Sequence, residues 1–315
     1  MWALVVGASL VVLFFGQALA VARDAAPLTD NLLTWWKAAI LGIVEGVTEY
    51  LPVSSTGHLL VTARILDLPD AKGSAGLEAV NTYAIAIQFG AIVAVVGLFW
   101  RRFVEMVQGL FGRNPEGRHL LFTLVIAFIP SALLGVLFDN KIEDALFGPW
   151  PVVFAWVLGG ALILFLERTG RIPDKGVPAE VGKNRLAAIT YQQALIIGLA
   201  QCAALWPGTS RSLATILGAL LVGVAMPAAV EFSFLLGFAT LSAATGFKLL
   251  KDGGTLVDQF GVATPLIGAG FAFVSAVIAI KWLVGYLERH DLSIFAWYRF
   301  AVAGLAVVLI ATSVI

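Results

Sequence analysis

The stretch Glu45-Gly46-Val47-Thr48-Glu49-Tyr50-Leu51-Pro52-Val53-Ser54-Ser55-Thr56-Gly57-His58 decides how this chain is read. It sets two carboxylates, a run of hydroxyls and an imidazole inside a span otherwise apolar enough to lie in a bilayer. Ionisable groups at membrane depth cost about 2.5–3.5 kcal/mol each even on insertion scales. A segment that keeps three of them has a use for them. It is a candidate active site inside a membrane.

The composition around it agrees. Hydrophobic residues make up 60% and charged residues 13% of the chain, and the mean hydropathy is +0.93. No ordinary soluble domain has that balance. Basic and acidic side chains cancel at 20 each, so bulk charge recruits no nucleic acid. The single Cys202 excludes an internal disulfide and a cysteine metal cage. Apolar stretches at 80–99, 119–138, 149–167, 227–248, 263–287 and 295–314 are each long enough to span the hydrocarbon core. The expectation is an all-α polytopic membrane protein forming a single domain over 29–315. Residues 1–28 form an apolar N-terminal extension that fits both a signal peptide and an extra helix.

Arg101, Arg102, Arg113 and Arg118 lie in the 100–118 connection, and Arg168, Arg171, Lys175, Lys183 and Arg185 in 168–185. The positive-inside bias places both in the cytoplasm, and it places 139–148, with Lys141 against Asp139, Glu143 and Asp144, outside. Arg289 then falls inside, while Lys248 and Lys251 fall outside, against the bias.

Two apolar regions, 32–66 and 187–222, are interrupted midway. The first breaks at Leu51-Pro52-Val53-Ser54-Ser55-Thr56-Gly57, the second at Trp206-Pro207-Gly208-Thr209-Ser210-Arg211-Ser212. Proline stops the preceding helix and Ser or Thr caps the next. Broken helices persist at membrane depth only when buried in protein or lining a wet cavity. Both regions therefore read as re-entrant helix–loop–helix hairpins. Pro52-Val53-Ser54-Ser55 matches Pro207-Gly208-Thr209-Ser210, and three spans follow each hairpin, which reverses the side of approach. The halves, about 32–167 and 187–314, form an inverted-topology repeat on this reading.

Glu45 and Glu49, four apart, share one helix face, and two adjacent carboxylates repel unless a cation or shared proton intervenes. Oxygen-only ligands suit Mg²⁺ or Ca²⁺, completed by substrate phosphates. His58, three residues beyond Ser55, adds acid–base or nucleophilic capacity. Ser54, Ser55 and Thr56 fit helix capping as well as chemistry. Arg211 sits at a helix start between Ser210 and Ser212, with Thr215 one turn on. Free N–H groups, a positive dipole end and a planar guanidinium together suit phosphate. An intramembrane site with these parts points to phosphoryl transfer from a lipid phosphate to water. Glu231 reads as an acid near a helix start. Trp35, Trp36, Trp150, Trp297 and Tyr298 read as interfacial anchors.

The runs from Glu45 to His58 and from Pro207 to Thr215 closely resemble both motifs of the undecaprenyl pyrophosphate phosphatases, the bacitracin-resistance family. The likeness extends from about residue 32 to the C-terminus. It implies hydrolysis of a polyprenyl pyrophosphate in a bacterial inner membrane, a divalent cation, and often a homodimer, while the charge pattern sets the site opening to the outer side. Carried over, Glu45 and Glu49 match the acidic motif linked to metal and proton transfer. Ser55 and His58 match the nucleophile or base, and Arg211 the phosphate-binding arginine, with Ser210 and Thr215 beside it. Lipid phosphatases of the phosphatidate type use similar Ser–Gly–His and Ser–Arg segments, but need a later histidine, and none follows Arg211 before His290. A flippase or secondary transporter shares the expected architecture; the Glu–Ser–His set exceeds what binding alone requires.

Overall fold

A computed structural model describes residues 33–68, 75–172 and 186–312, and regular structure within them is helical. The extension 1–28 and the side chains of Lys175, Lys183 and Arg185 lie outside the described residues. The helices are α1 (Trp35–Thr48), α2 (Ser55–Ile65), α3 (Ala75–Leu98), α4 (Trp100–Leu110), α5 (Pro115–Leu146) and α6 (Pro149–Arg168). There follow α7 (Tyr191–Gln201), α8 (Arg211–Leu221), α9 (Met226–Phe260), α10 (Ala263–Leu287) and α11 (Ser293–Ala311). A 3₁₀ turn, Cys202–Leu205, continues α7.

Six of these carry stretches long and apolar enough to cross a membrane: Val80–Leu98, Pro115–Phe138, Pro149–Arg168, Met226–Lys248, Ala263–Leu287 and Ser293–Ala311. They coincide closely with the six read from sequence, and the protein is a multi-pass, all-helical membrane protein. By contrast α1 has 14 residues and α2, α7 and α8 have 11 each. At 1.5 Å per residue they reach only about 16–21 Å, short of the roughly 30 Å hydrocarbon core. Trp35, Trp36, Trp150, Trp297 and Tyr298 are all exposed and lie near the starts of α1, α6 and α11.

The chain forms two compact units interleaved along the sequence. The first comprises 33–49, 58–100 and 241–279. Here α1 packs on α3, and both approach α10 through glycine: a Cβ on Gly42 or Gly46 would collide with the carbonyls of Gly268 and Ala272, and one on Gly90 with that of Ala269. In lipid such backbone contact replaces the hydrophobic drive that water would supply. Tyr83 is buried, donates to the Ala38 carbonyl at 3.2 Å and meets the edge of Phe260 at 5.8 Å. Lys37 Nζ donates at 2.6 Å to the Leu66 carbonyl just past α2, where a cation suits the helix end.

The second unit comprises 50–57, 101–240 and 280–312. In it α7 packs on both α5 and α8, and α6 packs on α11. A reciprocal cap starts α7: Thr190 Oγ1 accepts from the Gln193 N–H, and the Gln193 side chain accepts from the Thr190 N–H at 2.9 Å. The basic connection read at 100–118 contains a helix, α4, because Phe103, Met106, Val107 and Leu110 recur at helical spacing. Its Arg102 donates to Glu231 of α9 at 2.7 Å and to Glu105 at 2.9 Å. Glu231, near the start of α9 as expected, lies in its second turn and pairs with Arg102. Burial opposes the Arg102 charge, yet hydrogen bonds and attraction from both carboxylates hold its pKa above the usual arginine value. Arg102→Met is expected to cost about 1–2 kcal/mol, discounted for side chains about a quarter exposed, and to lower the thermal midpoint by a few degrees without changing specific activity.

Candidate active site

Each broken helix resumes through the same backbone device. Ser54 has φ +75° and Ser210 φ +74°, and each stands immediately before a helix, α2 or α8. A non-glycine residue in this region costs about 1–3 kcal/mol and is kept where the surroundings fix it. Conformation therefore pairs Ser54 with Ser210, whereas the sequence alignment set Ser54 against Thr209. The second loop holds one residue more after its proline, and Gly208 absorbs it at φ +97°. Only glycine fits there: a Cβ would lie 2.8 Å from the Val152 carbonyl oxygen and 2.9 Å from the Ala155 Cβ.

Hydrogen bonds join the two loops directly. Ser212 Oγ donates to the Leu51 carbonyl at 2.9 Å, and Ser210 Oγ reaches the same oxygen at 3.4 Å. The two hydroxyls are 3.0 Å apart, and Ser210 Oγ caps α8 by accepting the Leu213 N–H. Trp156 of α6 donates from Nε1 to the Val53 carbonyl at 3.0 Å. Ser210, Ser212 and Thr215, the residues beside Arg211 expected to line its phosphate site, direct their hydroxyls to protein groups: they build the site, whatever their lone pairs then accept. Thr215 Oγ1 bonds the Arg211 carbonyl at 2.9 Å and lies 2.6 Å from Ser233 Oγ of α9.

Arg211 opens α8. Its Nη1 donates to the Ser233 carbonyl at 3.1 Å, and its guanidinium carbon lies 5.4 Å from the centre of the Tyr50 ring. Tyr50 is wholly buried and meets Phe234 edge-on at 5.4 Å. The fork is therefore aimed by a carbonyl and an aromatic face, the contacts that distinguish arginine from lysine. Gly237, one turn beyond Ser233, leaves the room: a Cβ there would collide with Nη1. Gly237→Ala should fold normally, since the obstacle is the end of a flexible side chain, but should displace the fork. Phosphate release about tenfold below wild type, at an unchanged thermal midpoint, is the expected result.

Ser54 and Ser55 are buried, and Thr56 is exposed. Ser55 is the first residue of α2, and His58, partly exposed, follows on the same helix. In the first unit, Glu45 and Glu49 are both buried, and the Glu49 N–H donates to the Glu45 carbonyl at 2.9 Å. That bond continues the α1 helix, so the two carboxylates stand one turn apart on one side of it. Among the described residues no group of three or more His, Cys, Asp or Glu side chains could enclose a metal. Two hard carboxylates fit a cation that keeps waters and takes phosphate oxygens, the habit of Mg²⁺, and not a fully protein-caged ion.

Fold and loops together define a multi-pass, all-helical membrane protein whose broken helices present hydroxyls and an oriented arginine suited to an oxyanion. The chain belongs to the bacitracin resistance protein BacA family, whose model matches residues 38–305. It is 43% identical over 273 residues to an undecaprenyl-diphosphatase of Sorangium cellulosum, covering 86% of this chain and 85% of that one. It is 44% identical to undecaprenyl-diphosphatase 2 of Rhodospirillum rubrum over 86% of this chain and 93% of that one. Undecaprenyl-diphosphatase 1 of Burkholderia ambifaria is also 44% identical, over 88% and 95%.

Sequence reasoning passed over Ser233, Gly237, the Tyr50 ring, Trp156 and Arg299. Only Arg299 carried a signal of its own, a charge seven residues into an apolar span. The others become legible only when α6 and α9 are seen against the loops.

Proposed function

We propose that this protein is an integral membrane undecaprenyl-diphosphate phosphatase. It hydrolyses undecaprenyl pyrophosphate to undecaprenyl phosphate and inorganic phosphate, returns the carrier lipid to cell-wall synthesis, and confers bacitracin resistance. The observation that carries the reading is Arg211, aimed by Ser233 and Tyr50 at a helix start whose loop is bonded to the Ser54–Ser55 loop through Leu51. That is the equipment of a phosphate site.

On this reading Arg211 and the first N–H groups of α8 hold the terminal phosphoryl group and take up charge as it transfers. The attacking oxygen, from Ser55 or from a water that His58 deprotonates, approaches phosphorus in line. The bond to the bridging oxygen breaks, and undecaprenyl phosphate leaves. If Ser55 attacks, a second in-line attack by water frees the serine. Glu45 and Glu49 would hold a divalent cation, Mg²⁺ or Ca²⁺, which would supply charge neutralisation of the pyrophosphate. Ser54 and Thr56 would add hydroxyls around the phosphate. The matching positive-φ serines support two re-entrant hairpins related as an inverted repeat. Arginine in the 100–118 connection supports an inner-membrane orientation with the site opening to the outer side.

The test is the purified protein in liposomes carrying undecaprenyl pyrophosphate, assayed for phosphate release and for lipid movement between leaflets, with and without chelator. Metal-dependent release supports the phosphatase. Lipid movement with no release would make the protein a flippase.

A further inference from the structure

Arg299 is the least explained charge in the second unit. It sits seven residues into α11, a membrane-crossing helix, and its side chain is fully buried. Among the described residues its partners are all backbone carbonyls. Nε donates to Trp156 at 3.3 Å, and Nη1 to Pro52 at 3.1 Å. Nη2 is shared among Ala155 at 3.0 Å, Gly208 at 2.8 Å and Thr209 at 3.1 Å. Pro52 belongs to the first break, Gly208 and Thr209 to the second, and Ala155 and Trp156 to α6.

A broken helix at membrane depth leaves carbonyls that no helical N–H reaches and that lipid cannot solvate. One guanidinium satisfies such oxygens in both breaks at once, which a point-like ammonium cannot do. What it fixes is specific. Ser54 follows Pro52 by two residues and Ser210 follows Thr209 by one, and these are the two positive-φ serines that launch α2 at Ser55 and α8 at Arg211. The clamp also has a fitted seat: a Cβ on Gly159 of α6 would lie 2.5 Å from Nη2 and 2.8 Å from the guanidinium carbon.

We propose that Arg299 is a positioning residue for catalysis: by bonding the carbonyls of both breaks it sets the Ser55 helix start in register with the Arg211 helix start, without touching substrate. The proposal rests on the reading of these loops as the phosphatase site. An interaction needed for alignment in the transition state lowers kcat and leaves substrate binding nearly intact.

Arg299→Lys and Gly159→Ala are to be assayed on undecaprenyl pyrophosphate in detergent beside wild type, with thermal midpoint, kcat, KM and inhibition by inorganic phosphate measured for each. In folded protein both substitutions are expected to lower kcat about tenfold while KM and phosphate inhibition stay within about twofold. If Arg299→Lys does not fold, Gly159→Ala decides the matter, since it displaces the guanidinium without removing it. Wild-type kcat in a folded variant overturns the proposal. So does a loss of activity that merely tracks the unfolded fraction. A wild type that releases no phosphate defeats the phosphatase reading itself, an outcome distinct from active wild type with indifferent variants.

Discussion

Arg211→Lys is expected to lower phosphate release from undecaprenyl pyrophosphate by about a hundredfold, with little change in thermal midpoint. Removing one preorganised donor from a developing oxyanion typically costs about 10²–10³ in kcat. Lysine retains the charge but not the geometry. In the native chain the fork is aimed by the Ser233 carbonyl and the Tyr50 face, and a planar guanidinium holds both contacts while its remaining donors stay available to an oxyanion. A lysine ammonium can take the Ser233 bond or point at the phosphate, not both. The loss should fall on kcat/KM and should not be relieved by added metal. Turnover within threefold of wild type would remove Arg211 from the transition state.

Glu49→Gln is expected to have the largest effect, a loss of about 10³-fold, measured as phosphate release across a Mg²⁺ titration. The substitution preserves size and removes one of the two hard oxygen anions offered to a cation. Glu45 on α1 and Glu49 just past its end are both buried and one turn apart, so on the proposed reading a cation between them would relieve their mutual repulsion. The residual activity should respond to much higher Mg²⁺ than wild type needs. If Glu49→Gln loses activity with an unchanged metal requirement, the carboxylate works in proton transfer and the cation is held elsewhere.

The sequence shows its membrane spans because length and apolar continuity are local properties; helices at 80–98 and 263–287 leave no alternative in lipid. The breaks are legible for the same reason: a proline followed by hydroxyls can be seen without knowing what it packs against. Register inside the breaks is not. Ser54 pairs with Ser210 in backbone conformation, and an extra residue taken up by Gly208 hides this from alignment. The α4 helix was readable from the spacing of Phe103, Met106 and Leu110, but its arginines drew attention to charge instead. Glu231 was read against its own helix, while its partner, Arg102, lies 129 residues away. Gly237 and Gly159 are indistinguishable in sequence from other membrane glycines. Their meaning lies in the guanidiniums of Arg211 and Arg299 seated against them. Hydroxyl roles were the least readable: Ser210, Ser212 and Thr215 look like ligands in a motif, and in the fold they tie loops and helices together.

The most direct measurement of Arg211's part in phosphate transfer is phosphate release from undecaprenyl pyrophosphate by the purified, metal-supplied protein in detergent, run beside Arg211→Lys at equal folded concentration. Steady release by wild type and a rate about a hundredfold lower in the variant are expected. No release by folded wild type, or equal release by both, would contradict that role.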